Sequence, residues 1–253
     1  MKQRVIWSVV FVLFATAIGP SLLAQDADNN IARIYVAHVK TGMESLFEAG
    51  FKSHMEWRKQ QGDPWDWSVY QTVNGENLGD YSIRSGSHTW ADLDAYEDFL
   101  VKGTPHFYAS VGHSLESLDS YITATDQKTL RLPEDFSKVN YIDFHQYHLS
   151  MEGAFGFQST IRKVHEAIQK TNWPVHYAWV SHVNGGSGPA MTFVGFHENW
   201  ASMQEPEKDF FQMLVEGVGE EEAGRLLNEI GSAVRWEESW VGKRRPDLSL
   251  IRE

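Results

Sequence analysis

The chain contains no cysteine in 253 residues. Disulfides, thiolate nucleophiles and cysteine-based zinc or iron–sulfur sites are therefore excluded, and the fold must be held by packing. Positive charge is also scarce, with 22 Lys and Arg against 34 Asp and Glu and a formal net charge of -12. An acidic surface repels phosphate backbones and anionic headgroups, which argues against nucleic-acid or membrane-surface binding. Long apolar runs are missing after the first residues. No HExxH motif, Walker motif or nucleophile elbow occurs. Asn74-Gly75 and Asn184-Gly185-Gly186 are hairpin-turn chemistry rather than phosphate loops, because no helix N-terminus follows them.

What is present begins with an address. Lys2 and Arg4 precede an apolar run from Val5 to Ile18, then Gly19-Pro20 and a small residue, Ala24, before Gln25. That pattern predicts a signal peptide over 1–24, with a retained anchor as the alternative, and a periplasmic or secreted protein that does not contact the membrane once the leader is cleaved. The run is shorter than the roughly 20 residues that span a bilayer. With 10 Trp, 9 Tyr and 14 Phe, the remainder has ample material for one large core or two moderate ones.

The remainder repeats itself. Gly42-Met43-Glu44 with Phe47 returns as Ser150-Met151-Glu152 with Phe155, and Val73-Asn74-Gly75 as Val183-Asn184-Gly185. Trp90-Ala91 with Glu97 returns as Trp200-Ala201 with Glu207, and Leu132-Pro133-Glu134-Asp135 is echoed by Arg245-Pro246-Asp247. Four matches in one order, offset by roughly 110 residues, indicate a duplicated domain; solenoid repeats are shorter. The units are expected at 25–127 and 139–253, joined by a connector at 128–138.

Each unit reads as strand, helix, strand, strand, helix, strand. The first strand is Ile31 to Val39 or Val139 to Tyr147. The first helix carries Leu46, Phe47, Gly50, Phe51, His54 and Met55 at helical spacing in one unit and Phe155, Ile161, Val164 and Ile168 in the other. Hairpins follow at Trp67 to Ser85 and His176 to His197. Helices are expected at Trp90 to Leu100, at Trp200 to Val218 with a break at Pro206, and at Glu220 to Val234; Arg235 to Val241 is the last strand, and Ser120 to Thr125 its weaker counterpart. The fold class is α+β: two tandem ferredoxin-like (βαββαβ) units, whose antiparallel sheets pair into an α+β barrel. Within each unit the first and third strands are taken as adjacent and parallel.

The Trp with an acidic residue seven further on, Trp90 with Glu97 and Trp200 with Glu207, resembles the dimeric α+β barrel superfamily, and within it antibiotic-biosynthesis-monooxygenase-like and NIPSNAP-like domains. The resemblance implies a sheet-to-sheet barrel and a range of activities: cofactor-free oxygenases, haem-degrading enzymes, haem-dependent chlorite-dismutase-like proteins, and members without known activity. Fold alone does not choose among them. Haem-degrading members carry a ligating His about ten residues after the Trp, where this chain has Leu100 and Phe210; His106 fits only by moving the register.

Histidine is the reactive residue in surplus. His145 and His148 end the first strand of the second unit, His197 ends the third, and His176 starts the second. With the strand directions above, these ends share one rim, with Tyr147, Trp179 and Trp236 nearby; the first unit would hold His38, Trp67 and His88 there, with Ala37 opposite His145. Such a rim can bind a small aromatic or apolar ligand or carry acid–base chemistry near neutral pH. His145 and His148 face opposite ways on a strand and cannot share one metal. The expectations are no metal, no cofactor apart from a haem alternative, and no set oligomeric state. The function is a small-molecule binder or cofactor-independent oxygenase-like enzyme; the alternatives are a non-catalytic binding or assembly surface, or a haem-binding protein.

Overall fold

The computed structural model describes residues 29–252. The leader expected at 1–24 lies outside them. No helix among the described residues is long and apolar enough to cross a membrane.

Eight strands and five helices follow one another in a doubled pattern. The first half contains β1 (Ile31–Val39), α1 (Glu44–Gln60), β2 (Ser68–Gly75), β3 (Tyr81–His88), α2 (Trp90–Val111) and β4 (Leu115–Thr125). The second contains β5 (Tyr141–Leu149), α3 (Met151–Thr171), β6 (Tyr177–Asn184), β7 (Ala190–His197), α4 (Phe210–Val218), α5 (Glu220–Ala233) and β8 (Val234–Arg244). The strands close into one barrel in the order β1-β3-β2-β8-β5-β7-β6-β4. This is the expected α+β barrel of two ferredoxin-like units.

Local chemistry sets the helix ends. Thr89 and Asp92 form a capping box at the start of α2, and Asp209 with Gln212 another at α4. Ser150 accepts from the Gly153 amide at the start of α3, and left-handed Asn172 ends that helix. Helices α1 and α2 approach closely at Gly50, where a Cβ would come 2.3 Å from the Ser110 carbonyl oxygen.

Several expectations are corrected. Every neighbouring pair in the barrel is antiparallel, including β1 with β3 and β5 with β7. Three consecutive crossings of the unit, one helix and one hairpin, leave the third strand running against the first. Helix α2 continues past Leu100 to Val111 and absorbs Pro105. Trp200 to Met203 is a single 3-10 turn rather than a helix.

A ladder irregularity falls at matching places in the two halves. The β1–β4 ladder shifts between His38 and Val39, and the β5–β8 ladder between His148 and Leu149. His38 is therefore the counterpart of His148, and Tyr35, not Ala37, that of His145. In passing round the barrel from β1 to β5 the direction reverses four times, so both strands finish at the same end, called here the upper mouth.

Alternate residues face helices or lumen. Ala37, Val69, Tyr81 and Ile83 pack on Phe47, Phe51 and Tyr96 of the first helix pair. Tyr177, Trp179, Met191 and Leu149 pack on Phe157, Ile161 and Leu226 of the second half. Their strand neighbours, including His38, Arg84, Phe144, His148 and His182, therefore point into the barrel.

Candidate functional site

The antiparallel pairing of β5 with β7 separates the histidines expected on one rim. His148 stands beside Ala190 at the upper mouth, whereas His197 stands beside Tyr141 at the lower end. His176 is at the lower end too, exposed, its carbonyl accepting from the Phe196 amide at 3.0 Å. His197 hydrogen-bonds the Ser202 carbonyl at 3.1 Å. His145 lies mid-strand on the helix side of β5. Thus His145, His176 and His197 form no common cluster, and the rim expected to unite them does not exist. Two surface recesses, about 630 Å³ along α5 and about 650 Å³ beside Trp173 and Pro206, are lined by none of the seven candidate residues.

The candidates instead divide into two groups. The first lies on the helix side of the second half. The His145 imidazole meets Glu237 at 2.5 Å through Nδ1 and Asp143 at 3.0 Å through Nε2. The Asp143 hydrogen bond, opposed by partial burial and reinforced by Glu237, holds its pKa up to about 9. His145 is therefore a fixed cation at neutral pH. Tyr147, whose phenol is pushed up by burial and by the charges of Glu237 and Asp143, packs 5.8 Å from Trp179.

The second group surrounds the upper mouth and draws on both halves. His38 on β1 reaches Asp80 at 2.5 Å and Asp119 at 3.2 Å. Burial works against its charge, but the two carboxylates outweigh it and raise its pKa. Asp80 is itself raised, chiefly by burial. Across the barrel, His148 stacks on Trp236 at 4.2 Å, and Gln146 and Glu238 both reach its Nε2, at 2.9 and 3.3 Å. His182 sits 3.3 Å from the Thr192 hydroxyl and edge-on to Tyr121. Burial and the nearby His148 lower the His182 pKa, so this imidazole is neutral at pH 7. Trp236 keeps 48% of its surface exposed. The mouth thus combines an imidazole held between two carboxylates, a neutral imidazole, carboxylates on opposite walls and a half-exposed indole. Among the described residues no group is arranged to hold a metal ion.

Sequence reasoning missed a third cluster, beneath the helices of the first half. Asp63 accepts from Arg58 Nε at 2.6 Å, Trp67 Nε1 at 3.1 Å, the Trp65 amide at 2.9 Å and the Tyr96 hydroxyl at 2.9 Å. Arg58 also donates to Tyr96 and, at 3.2 Å, to His54 Nε2. That makes His54 Nε2 an acceptor, so Nδ1 carries the proton and donates to His106 Nδ1 at 2.9 Å. Burial first, then the Arg58 and His106 charges, lowers the His54 pKa to about 3. Each group is satisfied and sealed, which is the arrangement of a structural network. One signal pointed to it: His54 lies on the apolar stripe of α1, with Arg58 one turn further on.

Haem does not fit either helix–sheet interface. In the first half the space is filled by Trp65 stacked 3.6 Å on Tyr96 and 3.9 Å on His88. In the second, Phe157, Ile161, Val164, Met213, Leu214 and Leu226 are all buried against one another, and the buried His165 is hydrogen-bonded to Tyr177 at 2.8 Å.

No protein-family model matches the chain, and no curated protein matches it in sequence. Solved structures do match in fold. A Lactobacillus acidophilus protein described as a "putative monooxygenase" is 9% identical with a TM-score of 0.55, covering 88% of this chain and 97% of that one. An anthrone oxidase-like protein is 12% identical with a TM-score of 0.55, covering 86% and 92%. A mutant chlorite dismutase from Candidatus Nitrospira defluvii is 10% identical with a TM-score of 0.53, covering 86% and 92%. At these identities the likeness establishes the fold: a dimeric α+β barrel with both halves in one chain.

Proposed function

We propose that the protein binds a small aromatic ligand at the upper mouth and moves a proton to or from it, as a cofactor-independent oxygenase-like enzyme does. The carrying observation is a His38 imidazole held between two carboxylates and a His182 imidazole whose pKa burial lowers, at the mouth that half-exposed Trp236 lines. A neutral His182 can accept a proton, and His38, whose proton the two carboxylates favour, can stabilise the anion that results. Trp236, stacked on His148, supplies a flat surface for an aromatic ring. The oxygenase class is supported by the neighbours described as a monooxygenase and an anthrone oxidase-like protein, and the leader would place the activity outside the cytoplasm.

The probe is 2-naphthol, whose neutral and anionic forms absorb differently. The wild type should show saturable binding and a shift toward the naphtholate band. His182→Asn should keep binding within a few-fold and lose the band. Binding without any naphtholate in the wild type would leave a non-catalytic binding surface; no saturable binding would remove the site altogether.

A further inference from the structure

The lower lumen contains a guanidinium that no carboxylate among the described residues neutralises. Arg84 lies on β3 between Ile83 and Ser85, which are buried on the helix side, so its own side chain enters the barrel. Its neighbours across the ladders are Ile34 and Ser68. Gly86, two residues on and on the same face, leaves the room it occupies: a Cβ there would come 2.4 Å from one terminal nitrogen and 2.5 Å from the other. Among the described residues no carboxylate or hydrogen-bond acceptor reaches Arg84. The residue as a whole is half-buried.

The surroundings select a ligand. Tyr70 follows Ser68 on the same lumen face, pairs with Arg244 across the seam, and lies in the positive field of both Arg84 and Arg244. Tyr70 and Phe144 both pack over Gly242, at 3.3 and 3.2 Å from its would-be Cβ, and Phe144 stacks on Trp240 at 5.0 Å. In the second half the counterparts of Ser68, Tyr70 and Arg84 are Ala178, Val180 and Val194. One wall of the lower lumen is thus cationic and polar, its counterpart in the second half is apolar, and Phe144 adjoins Tyr70 over Gly242. An eight-stranded barrel encloses a lumen that side chains can fill or that can hold one small ligand. Desolvating an arginine without a partner is costly, and an incoming anion converts that cost into binding.

We propose that the lower lumen binds a small organic carboxylate, its anionic group on Arg84 and its apolar body against Tyr70 and Phe144. Arg84 pairs with Ile34 and Ser68 towards the lower end of the barrel, whereas Trp236 pairs with His148 at the upper mouth, so this site is distinct from the one that binds 2-naphthol.

Calorimetric titration with benzoate, and with neutral benzamide as the control, tests this. The wild type should bind benzoate saturably and prefer it to benzamide at least tenfold. Arg84→Met should lose that preference, Arg84→Lys should retain part of it, and 2-naphthol binding should persist in both. Gly86→Ala, which pushes only the flexible end of Arg84, should keep the fold by circular dichroism and weaken benzoate at least tenfold. Equal affinity for benzoate and benzamide in the wild type would overturn the proposal. So would undiminished benzoate binding in folded Arg84→Met or Gly86→Ala protein.

Discussion

The two halves share a topology and bury opposite materials beneath their helices. Where the first half places His54, Arg58 and Asp63, the second places Val164, Ile168 and Trp173 at the same offset. The first half ties α1, α2 and the entry to β2 together through one carboxylate with four donors. The second half achieves the same closure with apolar area, including an additional helix, α5, that buries Ala223, Leu226 and Ala233. A polar network and an extra apolar layer are thus alternative solutions to one packing problem. Polar satisfaction fixes geometry, and burial supplies driving force without fixing direction.

The sharpest way to break this comparison is to open the network. Asp63→Ala should cost roughly 3–5 kcal/mol, because it leaves Arg58 buried without a counterion. Replacing the pair together, Arg58→Met with Asp63→Leu, should recover most of that loss by imitating the second half. Urea unfolding measures both; a single-variant cost below about 1 kcal/mol would show that the network holds nothing.

Titration separates the halves next. Unfolded His54 takes up a proton near its ordinary pKa of 6.5, but the folded one not until about 3, so stability falls as pH drops through that window. His145 behaves oppositely. Its folded pKa is about 9, so its contribution is complete below 6.5 and is lost as pH rises through about 9. Unfolding midpoints from pH 4 to 10 should lose their acidic slope in His54→Asn and their alkaline slope in His145→Asn. A single variant that flattens both limbs would contradict the assignment.

The smallest effect on stability distinguishes the two walls of the upper mouth. Trp236 stands opposite His148 as Ser117 stands opposite His38. Trp236→Ala should change stability by no more than about 0.5 kcal/mol, since the ring is half-exposed, yet weaken 2-naphthol binding about tenfold. Ser117→Ala should change neither. Fluorescence titration of the two variants checks the pair.

The duplication and most strands were legible because Asn-Gly turns and β-branched runs leave local signals. β4 was less so, since its Glu, Ser, Asp and Thr residues interrupt apolar alternation, and the end of α2 was hidden by Pro105. Strand direction leaves no trace in a strand's own residues. Taking the first and third strands as parallel displaced His197 to the wrong end of the barrel and assembled a rim from residues that never meet. The pairing of His148 with Trp236 depends on register between β5 and β8, nearly ninety residues apart. Only His54, on an otherwise apolar stripe, hinted at the buried network.

Closure of the ring has a temporal side. One edge of β2 is completed by β8, with Tyr70 opposite Arg244 and Trp67 bonded to Leu250. As the chain is synthesised, β2 emerges long before β8, so in that interval one strand edge and the lumen face of the first half stay uncovered. Such a species invites premature pairing with another chain. Losing even the last dozen residues should therefore be far more damaging than its length suggests, because it removes the stitch that shuts the barrel.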